Sequence, residues 1–158
     1  MAEIDRASLI AAIAALPDQL EALVAQLSPE ELTTPFLKDE WSVAQNIHHL
    51  ADSHANAYIR CRLILTEEHP TLKPYSQNAW AELPDASDGE VADSLTLLRG
   101  LHKRWTRFWH ALPADAWERS GRHPEYGDMS LGRILQTYAG HGMAHIDQIE
   151  RTLAARAG

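Results

Sequence analysis

The chain has 158 residues, a formal charge of −8 from 14 Lys and Arg against 22 Asp and Glu, nine histidines and one cysteine. That length fits a single domain over residues 1–158. Cys61 alone cannot form an internal disulfide, so a reducing, cytoplasmic setting is expected. An acidic chain without a basic block argues against a nucleic-acid partner. The opening Met1-Ala2-Glu3-Ile4-Asp5 lacks the basic-then-apolar order of a secretory leader, and no apolar run approaches the roughly 20 residues that span a bilayer, so no membrane partner is expected.

Taken in order, the elements read as four long helices with irregular connections. The first runs from about Asp5 to Leu27, with Leu9, Ile13, Leu16, Leu20, Leu23 and Leu27 in steps of four and three. Pro17 lies inside it and predicts a kink or break near Ala15–Leu16. Ser28-Pro29-Glu30-Glu31 is a capping box opening a short turn before Pro35. The second long helix starts at Ser42 with another capping box, Ser42-Val43-Ala44-Gln45. Its face of Val43, Ile47, Leu50, Ala57, Cys61 and Ile64 holds to about Thr66. Residues 69–87 contain Pro70, Pro74 and Pro84 and form a long connection, a length often tied to function. Ser87-Asp88-Gly89-Glu90 reads as a third cap. It precedes a stripe of Val91, Leu95, Leu98, His102, Trp105, Trp109 and Leu112 that Pro113 ends. Residues 113–129 are a second irregular connection. Ser130 caps the last helix, which carries Leu131, Ile134, Leu135, Tyr138, Ile146, Ile149 and Leu153 and reaches about Arg156. No stretch sustains period-two alternation, so no strand is required. The expected fold is all-α, a four-helix bundle with two long connections. A faint repeat runs through it: a long helix, a Pro-led turn, an irregular stretch, then a helix opened by Trp41-Ser42 or Met129-Ser130.

The first chemical signal is His141-Gly142-Met143-Ala144-His145. Imidazoles at i and i+4 share a helix face and can chelate one metal ion, or can be two surface histidines. The Glu that follows the first His in zincin proteases is absent, so peptide hydrolysis of that type is not expected. The pair sits on the flank of the apolar stripe beside Thr137 and Gln148, and Gly140 and Gly142 leave space around it. A third ligand must come from another helix, where His48, His49 and His54 compete. His48 points away from the stripe and reads as solvated. His54 lies within it and reads as a hydrogen-bonded core histidine. His49 lies on the flank among Asn46, Ser53, Asn56 and Arg60. Periodicity favours His49 over His54 only modestly.

The segment from Trp41 through His48-His49-Leu50-Ala51-Asp52-Ser53-His54, followed by Asn56, Tyr58, Ile59 and Arg60, resembles the second helix of the DinB/YfiT superfamily. The resemblance continues through Leu65-Thr66-Glu67-Glu68, Pro74-Tyr75, Ala79-Trp80-Ala81-Glu82-Leu83, Leu101-His102-Lys103-Arg104-Trp105, His123-Pro124 and the terminal HxxxH. It covers nearly the whole chain. It is narrowest toward the YfiT-type branch of metal-dependent hydrolases, which includes bacillithiol S-transferases. The resemblance implies a four-helix bundle of DinB/YfiT type, metal ligands at His49, His141 and His145, and a homodimer. Two departures concern the substrate pocket: the family's segment before the first helix is missing here, and extra family histidines near the HxxxH are Gly140 and Gly142.

Three neutral imidazoles leave coordination positions open, as in catalytic rather than structural sites. One divalent transition metal ion per chain is expected, Zn or Ni first and Fe or Mn after them. Substrate-binding candidates are Asn56, Arg60, Tyr75, Trp80, His102 and His123. Arg60 suits a substrate carboxylate or equally a surface salt bridge, and His102 also reads as a satisfied core residue. Asp52 or Asp147 are candidates to orient a ligand, and equally ordinary solvated charges. No protein acid or base stands out. Three functions follow for a small-molecule substrate. One is a hydrolase using metal-activated water. Another is a transferase using the metal-bound thiolate of a low-molecular-weight thiol, brought in because Cys61 reads as a buried hydrophobe. The last is a non-catalytic metal-binding bundle, which predicts a closed site with no cavity.

Overall fold

The computed structural model describes residues 5–156; the opening Met1–Ile4, read above as lacking a leader, lies outside them. Asp5 accepts from Ser8 N at 3.2 Å and caps α1 (Arg6–Val24). This helix passes through Pro17 without the expected break, because Pro17 is buried against the bundle and the carbonyl it orphans finds another partner. By length and composition alone α1 is apolar enough to cross a membrane, which corrects the reading that no segment approaches that length. Its Ile10, Ile13, Leu16 and Leu20 are buried inside the bundle. The predicted capping boxes form at Ser28, which opens α2 (Pro29–Thr33), and at Ser42, which opens α3 (Val43–Thr66).

The connection after α3 is less irregular than expected. It contains α4 (Gln77–Ala81) and α5 (Pro84–Ser87), both packed on α3. Ser87 therefore ends α5 and does not cap α6 (Val91–Ala111), whose N-cap is Glu90; Asp88 Oδ1 accepts from Glu90 N instead. A 3₁₀ turn, Ala114–Ala116, follows Pro113. The second connection also holds strands, against expectation: β1 (Ser120–His123) pairs antiparallel with β2 (Gly127–Ser130). Gly127 has φ +69° at the turn, a conformation glycine adopts without strain. The hairpin docks on the first connection, with Leu72 N donating to Arg122 O and Arg122 N to Pro70 O. A Cβ on Gly121 would stand 2.9 Å from Pro70 O, so that docking needs glycine. Ser130 then caps α7 (Leu131–Ala155) as predicted.

The long helices close a ring: α1 packs on α6 and α7, and α3 packs on α6 and α7. Helices α1 and α3 thus lie diagonally, as do α6 and α7. The faint sequence repeat corresponds to this arrangement, each half being a diagonal pair joined across one end.

The core is divided. One apolar cluster includes Ile13, Ile64, Trp105 and Leu135; the other includes Leu20, Ile47, Leu98 and Ile149. Between them His54 and His102 are fully enclosed, with His141 and His145 beside them and half-buried. Polar groups survive burial only with partners, and this layer supplies its own.

Candidate metal centre

Helix α3 contributes His49 and α7 contributes His141 and His145. The Nε2 atoms of His49 and His141 are 3.2 Å apart, and those of His145 and His141 are 3.1 Å apart. One ligand nitrogen from each of the three lies within 4.8 Å of the others. Two nitrogens at about 2.05 Å from a tetrahedral ion stand about 3.3 Å apart, so the spacing fits a first-row divalent ion. Burial holds all three imidazoles neutral, as ligands must be: it pushes His49 and His145 down to about 4 and His141 to about 3, with the neighbouring imidazoles adding to the effect on His49 and His141.

The surroundings orient these rings. Asn46, one turn before His49 on α3, places Oδ1 2.7 Å from His145 Nδ1, while its own amide donates to Ser42 O. Trp41 stacks on His145 with centroids 6.2 Å apart and tilts over His49 at 4.8 Å. His54 Nε2 lies 3.2 Å from His141 Nδ1, and His54 Nδ1 lies 2.8 Å from His102 Nε2. Sequence reasoning named Asn46 only as polar company and treated Trp41 only as part of a motif. The signal for Asn46 was its i−3 relation to His49. The Asp147 carboxylate pairs with Arg151, away from this arrangement.

A cavity of about 400 Å³ reaches the site at His141, with Arg60, Tyr75, His123, Thr137 and Tyr138 among its walls. A smaller lobe of about 140 Å³ shares Arg60, His123 and Tyr138 and is closed by Leu72, Met129 and Ile134. The hairpin brings in His123, which is buried and accepts from Glu125 N through Nδ1. Burial and the Arg60 cation lower its pKa. Arg60 donates to Lys73 O at 2.6 Å, which turns it toward the first connection. Tyr75 and Tyr138 have raised pKa values through burial and remain hydroxyl donors at neutral pH.

Of the candidates read from the sequence, Arg60, Tyr75 and His123 meet in this cavity. Trp80 stands behind Tyr75, with centroids 4.5 Å apart, and is 38% exposed. Asn56 does not reach the cavity, because its amide donates back to Asp52 O. His102 faces the core between α6 and α1 instead. His48 is a correction: it is buried, not solvated, because Ser94 of α6 and Asp88, just after α5, close over it. Its ring meets Ser94 Oγ at 2.7 Å and Asp88 O at 3.0 Å. The space expected around Gly142 is also absent, since a Cβ there would stand 2.9 Å from Leu16 Cδ2; this glycine lets α1 approach α7. Cys61 is a buried free thiol, held protonated by burial.

Known proteins are similar to this chain in sequence and in fold. The DinB superfamily model matches residues 12–149. A Bacillus cereus protein named "Putative metal-dependent hydrolase" is 42% identical over 141 residues, covering 87% of this chain and 81% of its own. A protein of the same description from Oceanobacillus iheyensis is 45% identical over 134 residues, covering 85% and 77%. Among solved structures, YfiT from Bacillus subtilis, described as a probable metal-dependent hydrolase with an unusual four-helix bundle topology, superposes with a TM-score of 0.92. It is 36% identical and covers 100% of this chain and 90% of its own. On the sequence match and the bundle alike, the chain belongs to the DinB superfamily.

Proposed function

We propose that the protein is a metal-dependent hydrolase of a small anionic substrate, with His49, His141 and His145 holding one divalent transition metal ion. The observation that carries this reading is the convergence of three neutral Nε2 atoms, 3.1 and 3.2 Å apart, beside a cavity that one of them lines. An all-imidazole set suits Zn or Ni first. When bound, such an ion supplies Lewis acidity and lowers the pKa of a coordinated water toward about 7.

The chain's own residues then bind and orient. Arg60 is the cation in the cavity wall and takes the substrate's carboxylate or phosphate. Tyr75 and Tyr138 offer hydroxyl donors. The Nδ1 of His123 is engaged by Glu125 N, so a neutral ring keeps its proton on Nε2. Leu72, Met129 and Ile134 give the smaller lobe an apolar lining that suits a short hydrocarbon branch. The cavity at His141 counts against a closed, purely structural metal site.

The alternative is transfer to a low-molecular-weight thiol. Cys61 is fully enclosed, so any thiol nucleophile arrives as a cosubstrate. Bound metal is to be quantified in the wild type and in His49→Ala, His141→Ala and His145→Ala. Loss of metal in each variant is expected; unchanged content would sink the site assignment. Metal-dependent turnover of activated esters, amides and electrophiles is then followed with and without a small thiol. Thiol-independent turnover is expected. Turnover only with thiol moves the assignment to the transferase, and none across the panel leaves a metal-binding bundle.

A further inference from the structure

Proline at position 17 has no N–H, so α1 cannot close its bond to the carbonyl of Ile13, four residues earlier. That carbonyl is taken by α6: His102 Nδ1 lies 2.5 Å from Ile13 O. A carbonyl only accepts, so the His102 proton is on Nδ1. His102 is 1% exposed, and no carboxylate among the described residues pairs with it, so the ring is neutral and its Nε2 is bare. The bare Nε2 lies 2.8 Å from His54 Nδ1, which must donate. His54 is itself fully enclosed, so its Nε2 is bare in turn and accepts from His141 Nδ1 over 3.2 Å. His141 is left with its lone pair on Nε2.

The second α7 histidine is fixed the same way. Asn46 spends its amide N–H on Ser42 O, so Oδ1 accepts from His145 Nδ1 and leaves Nε2 bare. Two bare nitrogens thus face each other at 3.1 Å, where no proton is available to bridge them and a shared cation relieves the repulsion.

We infer that Pro17 and the Ile13 carbonyl anchor a chain of neutral imidazoles, His102–His54–His141, which holds His141 as its Nδ1–H tautomer and aims its Nε2 at the metal. The chain touches all four long helices: Ile13 on α1, His102 on α6, His54 on α3 and His141 on α7. It makes His54 and His102 positioning residues for the centre, not substrate ligands. Free histidine in water favours the other tautomer, so the chain does what the side chain alone does not. Removing an orienting partner of this kind typically costs about 10–100-fold in metal affinity.

The inference rests on the reading that the three histidines hold a metal, but its first test does not need one. Long-range ¹H–¹⁵N spectra of the metal-free protein should show His102, His54 and His141 as Nδ1–H tautomers. An Nε2–H tautomer at His54 or His141 overturns the chain, whatever the metal content. The second test is zinc affinity by chelator competition in folded variants. His54→Leu should bind about 10–100-fold more weakly than wild type. His54→Gln, whose Oε1 can accept from His141 Nδ1, should recover most of that loss. Pro17→Ala restores an N–H that competes for Ile13 O, and should weaken zinc binding while leaving α1 helical. Wild-type affinity in folded His54→Leu overturns the proposal.

Discussion

Two bonds at Asn46 decide which nitrogen His145 offers. The amide is tied to Ser42 O at 2.9 Å, so the oxygen has one orientation, 2.7 Å from His145 Nδ1. Asn46→Leu should lower zinc affinity about 10–100-fold, and Asn46→Asp, which keeps an acceptor there, should recover much of it; chelator competition reads both. Arg60 makes a separate prediction. It belongs to the cavity wall and lies outside the imidazole cluster, so Arg60→Met should raise KM for anionic substrates at least about tenfold, as loss of a charge-assisted bond implies. Metal content measured alongside should not change. At this scale periodicity put His49, His141 and His145 on helix flanks, where the structure brings their nitrogens together, while the choice of His49 over His54 rested on the family resemblance. Periodicity misled at His48, which is off the apolar stripe but is covered by Ser94 of α6 and by Asp88 in the connection before it. Periodicity reports direction on a helix and carries nothing about what a connection folds over it.

Three of the four serine caps read from the sequence, Ser28, Ser42 and Ser130, open helices as their side-chain chemistry predicts. Ser87 matches the same pattern but ends a short helix, because Pro84 had started one three residues earlier. The hairpin escaped notice because its strands are four residues each, too short to establish alternation against glycine and charged neighbours. It matters to the site because it carries His123 into the cavity and borders the segment bearing Tyr75. Helix packing makes the prediction at this scale. Gly142 lies on α7 where Leu16 of α1 fills the space a Cβ would need, so Gly142→Ala must displace Leu16 or the helix. The cost of such overpacking is about 1–3 kcal/mol, partly offset by the roughly 1 kcal/mol by which alanine favours a helix over glycine. Urea unfolding should show net destabilisation with an unchanged slope, and metal stoichiometry should survive, since neither Leu16 nor Gly142 is a ligand.

Across the whole molecule, the feature that periodicity left unassembled is the polar layer between two apolar clusters. His54 and His102 each read correctly as core histidines. That they meet each other and then His141 depends on which helices are neighbours, and a buried stripe does not name its partner. Successive long helices are diagonal in two cases, α1 with α3 and α6 with α7, and adjacent in the third, α3 with α6, so sequence order does not say which faces meet. A bundle that encloses this many imidazoles has a definite response to acid. Burial lowers the pKa of His49 and His145 to about 4 and of His141 to about 3, and it lowers His54 and His102 as well. Unfolded histidines titrate near 6.5, so between that pH and about 3 the unfolded chain binds more protons than the folded one. Stability of the metal-free protein should therefore be full above about pH 6.5 and fall as pH drops through the folded values. The slope is up to about 1.4 kcal/mol per pH unit for each histidine still neutral in the fold. Bound metal requires the same neutral nitrogens and binds only the folded state, so saturating zinc should move the acid transition to lower pH. Thermal melts from pH 8 to 4, in chelator and in excess zinc, give both curves. A metal-free Tm flat from pH 6.5 to 4.5 would mean that the layer is hydrated or already protonated in solution. A zinc curve coinciding with the chelator curve would separate the imidazole layer from metal binding altogether.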